Sequence, residues 1–416
     1  MKILVVHTYY KLKGGEDSVV ANEIKLLRAA GMEVEQLSFS NSGSTLSKLV
    51  QVPFNWGSYR TALRKVEQFH PDVVHIHNLH FSGSAAVVYA IKKLKVPIVM
   101  TLHNYRLLCP SGSLYYDNQL FLDSLKPGMA WQAVKKGVYQ NSKAITFWIA
   151  AAAYLHEKLG TWKKIDRFIL LGQHSKDLFA GSKLGELASR MVVKPNFCFS
   201  LAGGPIGTAG KVKTAVESSA GALQKQSYYL YVGRLTEEKG LPVLLKAFAA
   251  SGHALKIVGT GPLEELVKDY SNRHANISFC GARSQEQVYQ LLKAATALIF
   301  PSVWYETFGM VVIEAFSNGV PVIASDLGNI KNMVTDGFNG LRFTAGDDND
   351  LREKIGYFDA LTMEEKNRFG SNARQTYESQ YSPETNAAQL IELYQAVIPG
   401  RNDPQAGGNR VVLNNQ

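Results

Sequence analysis

A chain of 416 residues is long enough for two domains with ample cores, and 46 % hydrophobic with 10 % aromatic residues is a globular composition, not a disordered or fibrous one. Its formal charge of +10 favours anionic partners: phosphorylated substrates, anionic lipid surfaces or nucleic acid. Cys109, Cys198 and Cys280 are odd in number and far apart, which excludes a disulfide framework or zinc spacing and points to a reduced compartment.

The opening residues MKILVV lack the pattern of a secretory leader and read as a buried strand. The loop HTYYKLKGGED follows, then a helix from about Asp17 with Val20, Ile24 and Leu27 on one face and Gly31 as its stop. A strand is expected near 34–39, a helix over 56–69, strand DVVHIH, a helix over 83–94 and strand PIVMTLHN. Residues 105–127 are turn-rich, 129–160 read as one long helical region, and strands at 167–171 and 191–193 flank a helix near His174. The longest apolar run, 144–155, falls short of the ~20 residues that span a bilayer.

Residues 201–226 are small, polar and glycine-rich, and read as a linker. The alternation then restarts: YYLYVG, a helix from Leu241, LKIVG, a helix from Pro262, ISFCG, a helix from Ser284, the run ALIF, a helix after Gly309, and PVIAS. Helical segments follow over 350–379 and 383–397, then a polar end over 402–416. Strand–helix alternation in both halves predicts an α/β protein of two Rossmann-like, doubly wound parallel sheets.

Chemistry concentrates in PSVWYETFGMVVIE, residues 301–314. An apolar strand feeds a loop carrying Glu306, and a helix then carries Glu314 about two turns in. Ligands of such sheets bind at the carboxyl ends of strands, where helix N-termini present amides to phosphate and a carboxylate suits hydroxyls. In YVGRLTEEKG, Gly233 ends a strand, Arg234 can fork two phosphate oxygens and Lys239 adds a point charge; Glu237 and Glu238 could equally pair with both cations as an ordinary solvated turn. Gly14 and Gly15 could bring backbone amides to a phosphate, or form a plain turn. Gly259-Thr-Gly261 lacks the third glycine of a dinucleotide fingerprint. His77 and His80 have no carboxylate or cysteine at ligand spacing, so no metal is expected. His103, at a strand's carboxyl end, could meet a sugar hydroxyl or serve as acid or base, and a structural role stays open. Lys48, Arg60, Arg64, Lys65, Lys92, Lys93, Lys95, Lys135 and Lys136, interleaved with Trp56, Trp131 and Phe147, form a basic surface that suits an anionic membrane or is simply solvated. No nucleic-acid-binding module is recognisable.

Four stretches, KGGED, TLHNYRLLCPSG, GRLTEEKG and the E-x7-E pair Glu306 and Glu314 in ETFGMVVIEA, together resemble the retaining glycosyltransferases of family 4, built on the glycosyltransferase B fold. The resemblance covers most of residues 1–400 and includes IVGTGP and GFNGLRF. It implies an acceptor-binding domain over 1–200, the linker 201–226, a nucleotide-sugar donor domain over 227–380, a helix over 381–400 packing back on the first domain, and a tail over 401–416. It further implies that Arg234 and Lys239 neutralise the donor diphosphate, with the Gly14–Gly15 turn approaching from the other domain. Glu306 would bind donor-sugar hydroxyls, Thr307, Phe308, Gly309, Met310 and Val311 would lie around sugar and phosphate, and Glu314 would hold the ribose. His103 would sit beside the transferred sugar, and Gly233, Gly259 and Arg283 would border the nucleotide. Where many relatives have His-Asp this chain has His103-Asn104. The implied partners are a nucleotide-diphosphate sugar and a saccharide or lipid-linked acceptor in polysaccharide or glycolipid assembly, with no metal or other cofactor and no nucleic acid. The expected location is the cytoplasm, and the basic, aromatic-bearing surface of the first half makes the inner face of the plasma membrane a candidate docking surface there. A nucleotide-sugar epimerase and a non-catalytic sugar-nucleotide-binding protein share the same plan.

Overall fold

The structure, a computed structural model, describes residues 1–9, 14–41, 49–200 and 228–399. The expected linker over 201–226 and tail over 401–416 lie outside the described residues, as do Lys13 and Lys48.

The first half contains β1 (Lys2–Tyr9), α1 (Gly15–Ala29), β2 (Glu33–Ser40), α2 (Trp56–Phe69), β3 (Val73–Ile76), α3 (Ala86–Lys93) and β4 (Ile98–Leu102). A short hairpin, β5 (Tyr115–Tyr116) and β6 (Gln119–Leu120), precedes α4 (Trp131–Lys136), α5 (Lys143–Lys158), β7 (Arg167–Leu170), α6 (Gln173–Ala180) and β8 (Met191–Val193). The six long strands form one parallel sheet in the order β2-β1-β3-β4-β7-β8. Helices cover both faces, so β1, β3 and β4 are buried on each side and read as continuous apolar runs. The expected single helix over 129–160 is instead two. Gly137 ends α4 at φ 68°, Gln140 and Asn141 both adopt positive φ, and the Ser142 hydroxyl then caps α5 by accepting from the Ile145 amide.

The second half contains β9 (Tyr229–Val232), α7 (Leu241–Ser251), β10 (Leu255–Val258), α8 (Glu264–Arg273), β11 (Ile277–Gly281), α9 (Gln285–Ala294) and β12 (Ala297–Phe300). It continues with α10 (Met310–Ser317), β13 (Val322–Ser325), α11 (Ile330–Met333), β14 (Gly340–Phe343), α12 (Asp348–Ala360), α13 (Met363–Thr376) and α14 (Pro383–Val397). Its parallel sheet has the order β11-β10-β9-β12-β13-β14. The short edge strand β14 and the one-turn α11 were not expected. In both sheets the strand order reverses beside the first strand, between β1 and β3 and between β9 and β12, which opens a crevice at the carboxyl ends.

Each sheet has a core on either face. The side of the first sheet carrying Ile3, Val5, Val99 and Ile169 is closed by Val20, Ile24 and Leu27 of α1 and by Leu390 and Tyr394 of α14. Fully burying each such aliphatic chain contributes about 1.5–3 kcal/mol. Among the described residues the polypeptide crosses between the two units twice, near Pro195–Cys198 and near Tyr381–Asn386. The crossings are bonded to one another, with Asn386 Nδ2 donating to the Pro195 carbonyl at 2.7 Å. Among the described residues no helix is long and apolar enough to cross a membrane.

Candidate active site

The second crevice is shaped by glycines that permit close backbone approach. Gly240 sits at φ 73°, and a Cβ there would lie 1.9 Å from the Pro301 carbonyl oxygen. Gly259, at φ 146°, would place a Cβ 1.8 Å from the Gly233 carbonyl oxygen. Only glycine fits either position. The turn at Gly240 seats Lys239 over the Pro301 loop, where its Nζ donates to Glu306 Oε1 at 2.6 Å. The Ser302 hydroxyl donates to the same oxygen at 2.6 Å, and the Lys239 ammonium lies 5.5 Å from the Trp304 ring centroid. Arg234 extends into solvent and pairs with Glu238 at 3.3 Å, a bond of little net worth. Glu238, one of the two partners weighed from sequence, therefore takes Arg234, whereas Lys239 reaches Glu306, 67 positions away.

Gly309 begins α10, whose first turn carries no acidic residue, so its amides are unopposed donors for an anion. Phe308, Gly309, Met310, Val311 and Glu314 line a cavity of about 310 Å3 together with Gly233 and Lys239, and Gly15 enters it from the first half. Burial raises the Glu314 carboxyl above its usual range. Thr307 does not line that cavity; its hydroxyl donates to the His103 carbonyl at 2.9 Å and joins the two halves. Gly259 borders Gly233, and the exposed Arg283 bonds the neighbouring Ala282 carbonyl; neither lines the cavity.

On the facing side, the Gly14 amide donates to Asp17 Oδ2 at 3.0 Å, while Asp17 Oδ1 holds His7 Nε2 at 2.8 Å. A second, polar cleft of about 540 Å3 brings His103, Asn104, Arg106 and Glu16 opposite Arg234 and Trp304. Burial, with Asp17 adding repulsion, pushes the Glu16 carboxyl up to about 8. It is therefore protonated near neutrality, and a neutral acid beside Gly15 does not repel a phosphate.

Behind this cleft is a buried polar network. His77 Nδ1 lies 2.9 Å from His103 Nε2, and His77 Nε2 lies 3.0 Å from Glu23 Oε1. The same carboxylate oxygen is 2.9 Å from His75 Nδ1, which also meets the Tyr394 hydroxyl at 2.7 Å. Lys194 stands 3.8 Å from the other Glu23 oxygen. Burial holds the His103 imidazole well below its ordinary value, and burial with the nearby His75 lowers His77 to about 4. Glu23, His75 and His77 are thus clustered closely enough to hold a cation, so a carboxylate does accompany His77, contrary to the sequence reading; His80 is not part of the group. Lys194 already supplies the positive charge that balances Glu23, and both nitrogens of His75 have protein partners, Nε2 meeting Thr101 at 2.8 Å.

Sequence reasoning missed Glu23, Lys194 and Tyr394, and also Asn329, whose Nδ2 donates to Ser175 Oγ of α6 at 2.6 Å and to the Thr307 carbonyl at 2.9 Å. One signal was present: Glu23, like Asp17, falls on the same α1 face as Val20, Ile24 and Leu27, a carboxylate in an otherwise apolar stripe. The expected basic surface is divided, since Lys92 is bound to Asp166 at 2.6 Å and Lys65 to Glu35.

Two facing doubly wound units, with cations and helix amides on one side of the crevice and a buried histidine on the other, suit a glycosyltransferase that takes a nucleotide-sugar donor. The family glycosyl transferases group 1 matches residues 213–376, and glycosyltransferase family 4 matches residues 13–166. The chain belongs to this family, group 1 and family 4 in its two halves, and has the glycosyltransferase B fold. An uncharacterized glycosyltransferase of Methanocaldococcus jannaschii is 24% identical over 85% of this chain and 87% of its own. The O-antigen chain mannosyltransferase C of Escherichia coli is 27% identical over 42% of this chain and 48% of that protein. Among solved structures, Anabaena HepE in complex with UDP-glucose superposes with TM-score 0.64 at 17% identity, covering 95% of this chain and 100% of that one. Sucrose-phosphate synthase of Thermosynechococcus elongatus gives TM-score 0.67 at 19% identity over 95% and 98%.

Proposed function

We propose that the protein transfers a sugar from a uridine-diphosphate sugar to a hydroxyl of a saccharide or lipid-linked acceptor, in the cytoplasm, with retention of anomeric configuration and without a metal. The observation that carries this reading is the cavity in which Gly15, Lys239, the α10 amides and Glu314 converge. The complex of HepE with UDP-glucose supports the choice of base.

In the reaction the bond between the anomeric carbon and the phosphate oxygen breaks as the acceptor oxygen bonds that carbon on the same face, and the acceptor proton passes to the departing phosphate. Negative charge grows on the diphosphate, where Arg234, Lys239 and the amides of Met310 and Val311 receive it. Such fixed donors in a water-poor cleft lower a barrier by several kcal/mol, on the order of 3 for each well-placed one. With two cations serving the leaving group, no divalent ion is required for that step. Glu306 and Glu314 take sugar and ribose hydroxyls, and His103, neutral and fixed through Nε2, borders the transferred sugar. Diphosphate binding competes with the Lys239–Glu306 bond, which frees a Glu306 oxygen for a hydroxyl. Gly259 and Arg283 flank the base.

The deciding experiment incubates the protein with a panel of UDP-, GDP-, ADP- and dTDP-sugars, with and without chelator, and follows thermal shift and product anomer by NMR. Stabilisation by UDP-sugars and an α-linked product from an α-linked donor are expected. Conversion of free donor to its isomer without acceptor would instead identify an epimerase.

A further inference from the structure

The outward side of α5 is apolar along its length. Thr146, Ile149, Ala150, Ala152 and His156 face inward and are buried, yet the opposite side presents Phe147, Trp148, Leu155 and, one residue past its end, Leu159 to solvent. Their spacing follows the helical period, so they form one stripe. Trp131 of α4, 55% exposed, extends it, its ring 6.0 Å from that of Phe147. On the other flank, the segment before α2 is tied along α5. Trp148 Nε1 donates to the Leu49 carbonyl at 2.7 Å and His156 Nε2 to the Pro53 carbonyl at 2.6 Å, which adds exposed Val50 and Trp56. An apolar face this wide is uncommon on a helix that has already buried its other side.

The charge around the stripe has one sign. Residues 126–164 contain seven lysines and a single acid, Glu157. Glu157 Oε2 is buried and its charge acts on Lys183, so it offers nothing to the outward face. Lys126 is paired with Asp123 and Lys163 with Glu186, and the half-buried Lys164 lies 5.4 Å from the Tyr89 ring centroid. Lys135, Lys136, Lys143 and Lys158 remain exposed, the last two at either end of the stripe.

We propose that the α4–α5 face docks on an anionic membrane surface, with Trp131, Phe147, Trp148 and Leu155 in the interfacial layer and the four lysines on the headgroups. Aromatic and aliphatic side chains framed by cations match a layer that is apolar below and anionic above. A second copy of this chain fits poorly, because an isologous pairing would set lysines against lysines. This is a smaller patch than the sequence outlined, and it is centred on α5, not on α2 and α3. The inward side of α5 (Ile149, Ala152, Ala153 and His156) lines a cavity of about 120 Å3 that reaches His103. One helix width, roughly 10–12 Å, therefore separates the docking face from the chamber beside His103. The proposal does not depend on the sugar chemistry.

The test uses the full chain and vesicles of phosphatidylcholine with or without phosphatidylglycerol. Co-sedimentation with the anionic vesicles at low salt, weakened at high salt, is expected, along with quenching of tryptophan emission by brominated lipid. Lys135→Glu with Lys143→Glu, and separately Phe147→Ser with Leu155→Ser, should each lower vesicle affinity by about tenfold or more while UDP binding and the melting transition stay in place. Absence of vesicle binding, equal binding to neutral vesicles, or variants that bind like the wild type would overturn the proposal. So would a concentration-dependent dimer that the same substitutions dissolve, since the face would then belong to a second copy. Quenching of the wild type decides the matter even where a variant does not fold.

Discussion

His77 joins His103 to Glu23: one ring nitrogen lies 2.9 Å from His103 Nε2 and the other 3.0 Å from the Glu23 carboxylate. The line fixes which nitrogen of His103 is engaged and how the ring is turned toward the cleft. Glu23→Gln should lower kcat by about tenfold with little change in donor KM, because Glu23 acts through His77 and touches no substrate. Initial rates at varied donor concentration check the split. Glu23→Ala should also cost about 3 kcal/mol of stability, since it leaves Lys194 buried without its counter-charge.

Stability should depend on pH through two opposed groups. His77 is lowered from 6.5 to about 4, so between those values the unfolded chain binds more protons and stability is lost as pH falls. His103, lowered in the same direction, adds to that loss. Glu16 runs the other way. Its carboxyl is raised from 4.5 to about 8, so the folded chain holds the extra proton and stability declines as pH rises through that window. The windows overlap from 4.5 to 6.5, where two histidines oppose one carboxyl, so urea titrations from acid to mildly alkaline pH should show a maximum near the upper end of that overlap. Glu16→Gln should flatten the alkaline side.

Glu16 also bears on donor binding. Above about pH 8 its ionised form sits beside Gly15, and affinity for UDP should weaken there by several-fold. Calorimetry of wild type and Glu16→Gln on either side of that pH tests this, the variant being expected to bind equally at both.

Lys239 and Arg234 should differ in their effects. Lys239→Ala removes a partly buried cation and leaves the buried Glu306 with the Ser302 hydroxyl but no counter-charge, so it should lower kcat/KM by about 100-fold or more and destabilise the protein. Arg234→Ala should lower kcat/KM comparably but leave the melting temperature within about 1 °C, because its bond to Glu238 is solvent-screened. Rates paired with thermal melts separate the two.

Gly240→Ala should destabilise by at least about 2 kcal/mol, from left-handed backbone strain and the clash with the Pro301 carbonyl. Because the same turn seats Lys239, the thermal shift given by UDP should shrink as well.

Most strands and helices of both sheets were legible, because buried parallel strands are short apolar runs and amphipathic helices repeat every three to four residues. The break within 129–160 was obscured by apolar residues on both sides of Gly137, and α5 itself is apolar on two faces, which blurs its period. The short β14 lies at a sheet edge and has only GLRF to mark it. At the site, residues in one contiguous stretch, such as Glu306 and Glu314, could be read from their loop and helix. The Glu23–His77–His103 line could not, since its members come from α1, the end of β3 and the end of β4. Nor could the Asn329 clasp, which forms only when α11 of one half meets α6 of the other.

The two chain crossings lie side by side, and Asn386 pins one to the other. Two units joined by a pair of adjacent straps resemble door leaves on one pin, and any motion between them is expected to be a swing about that line. Away from the crossings in sequence, Thr307 and Asn329 also tie the halves together through His103 and Ser175. A swing that opened the crevice would break these hydrogen bonds and the contact of the His174 ring with Tyr305, 4.3 Å between centroids, and would leave both sheets intact.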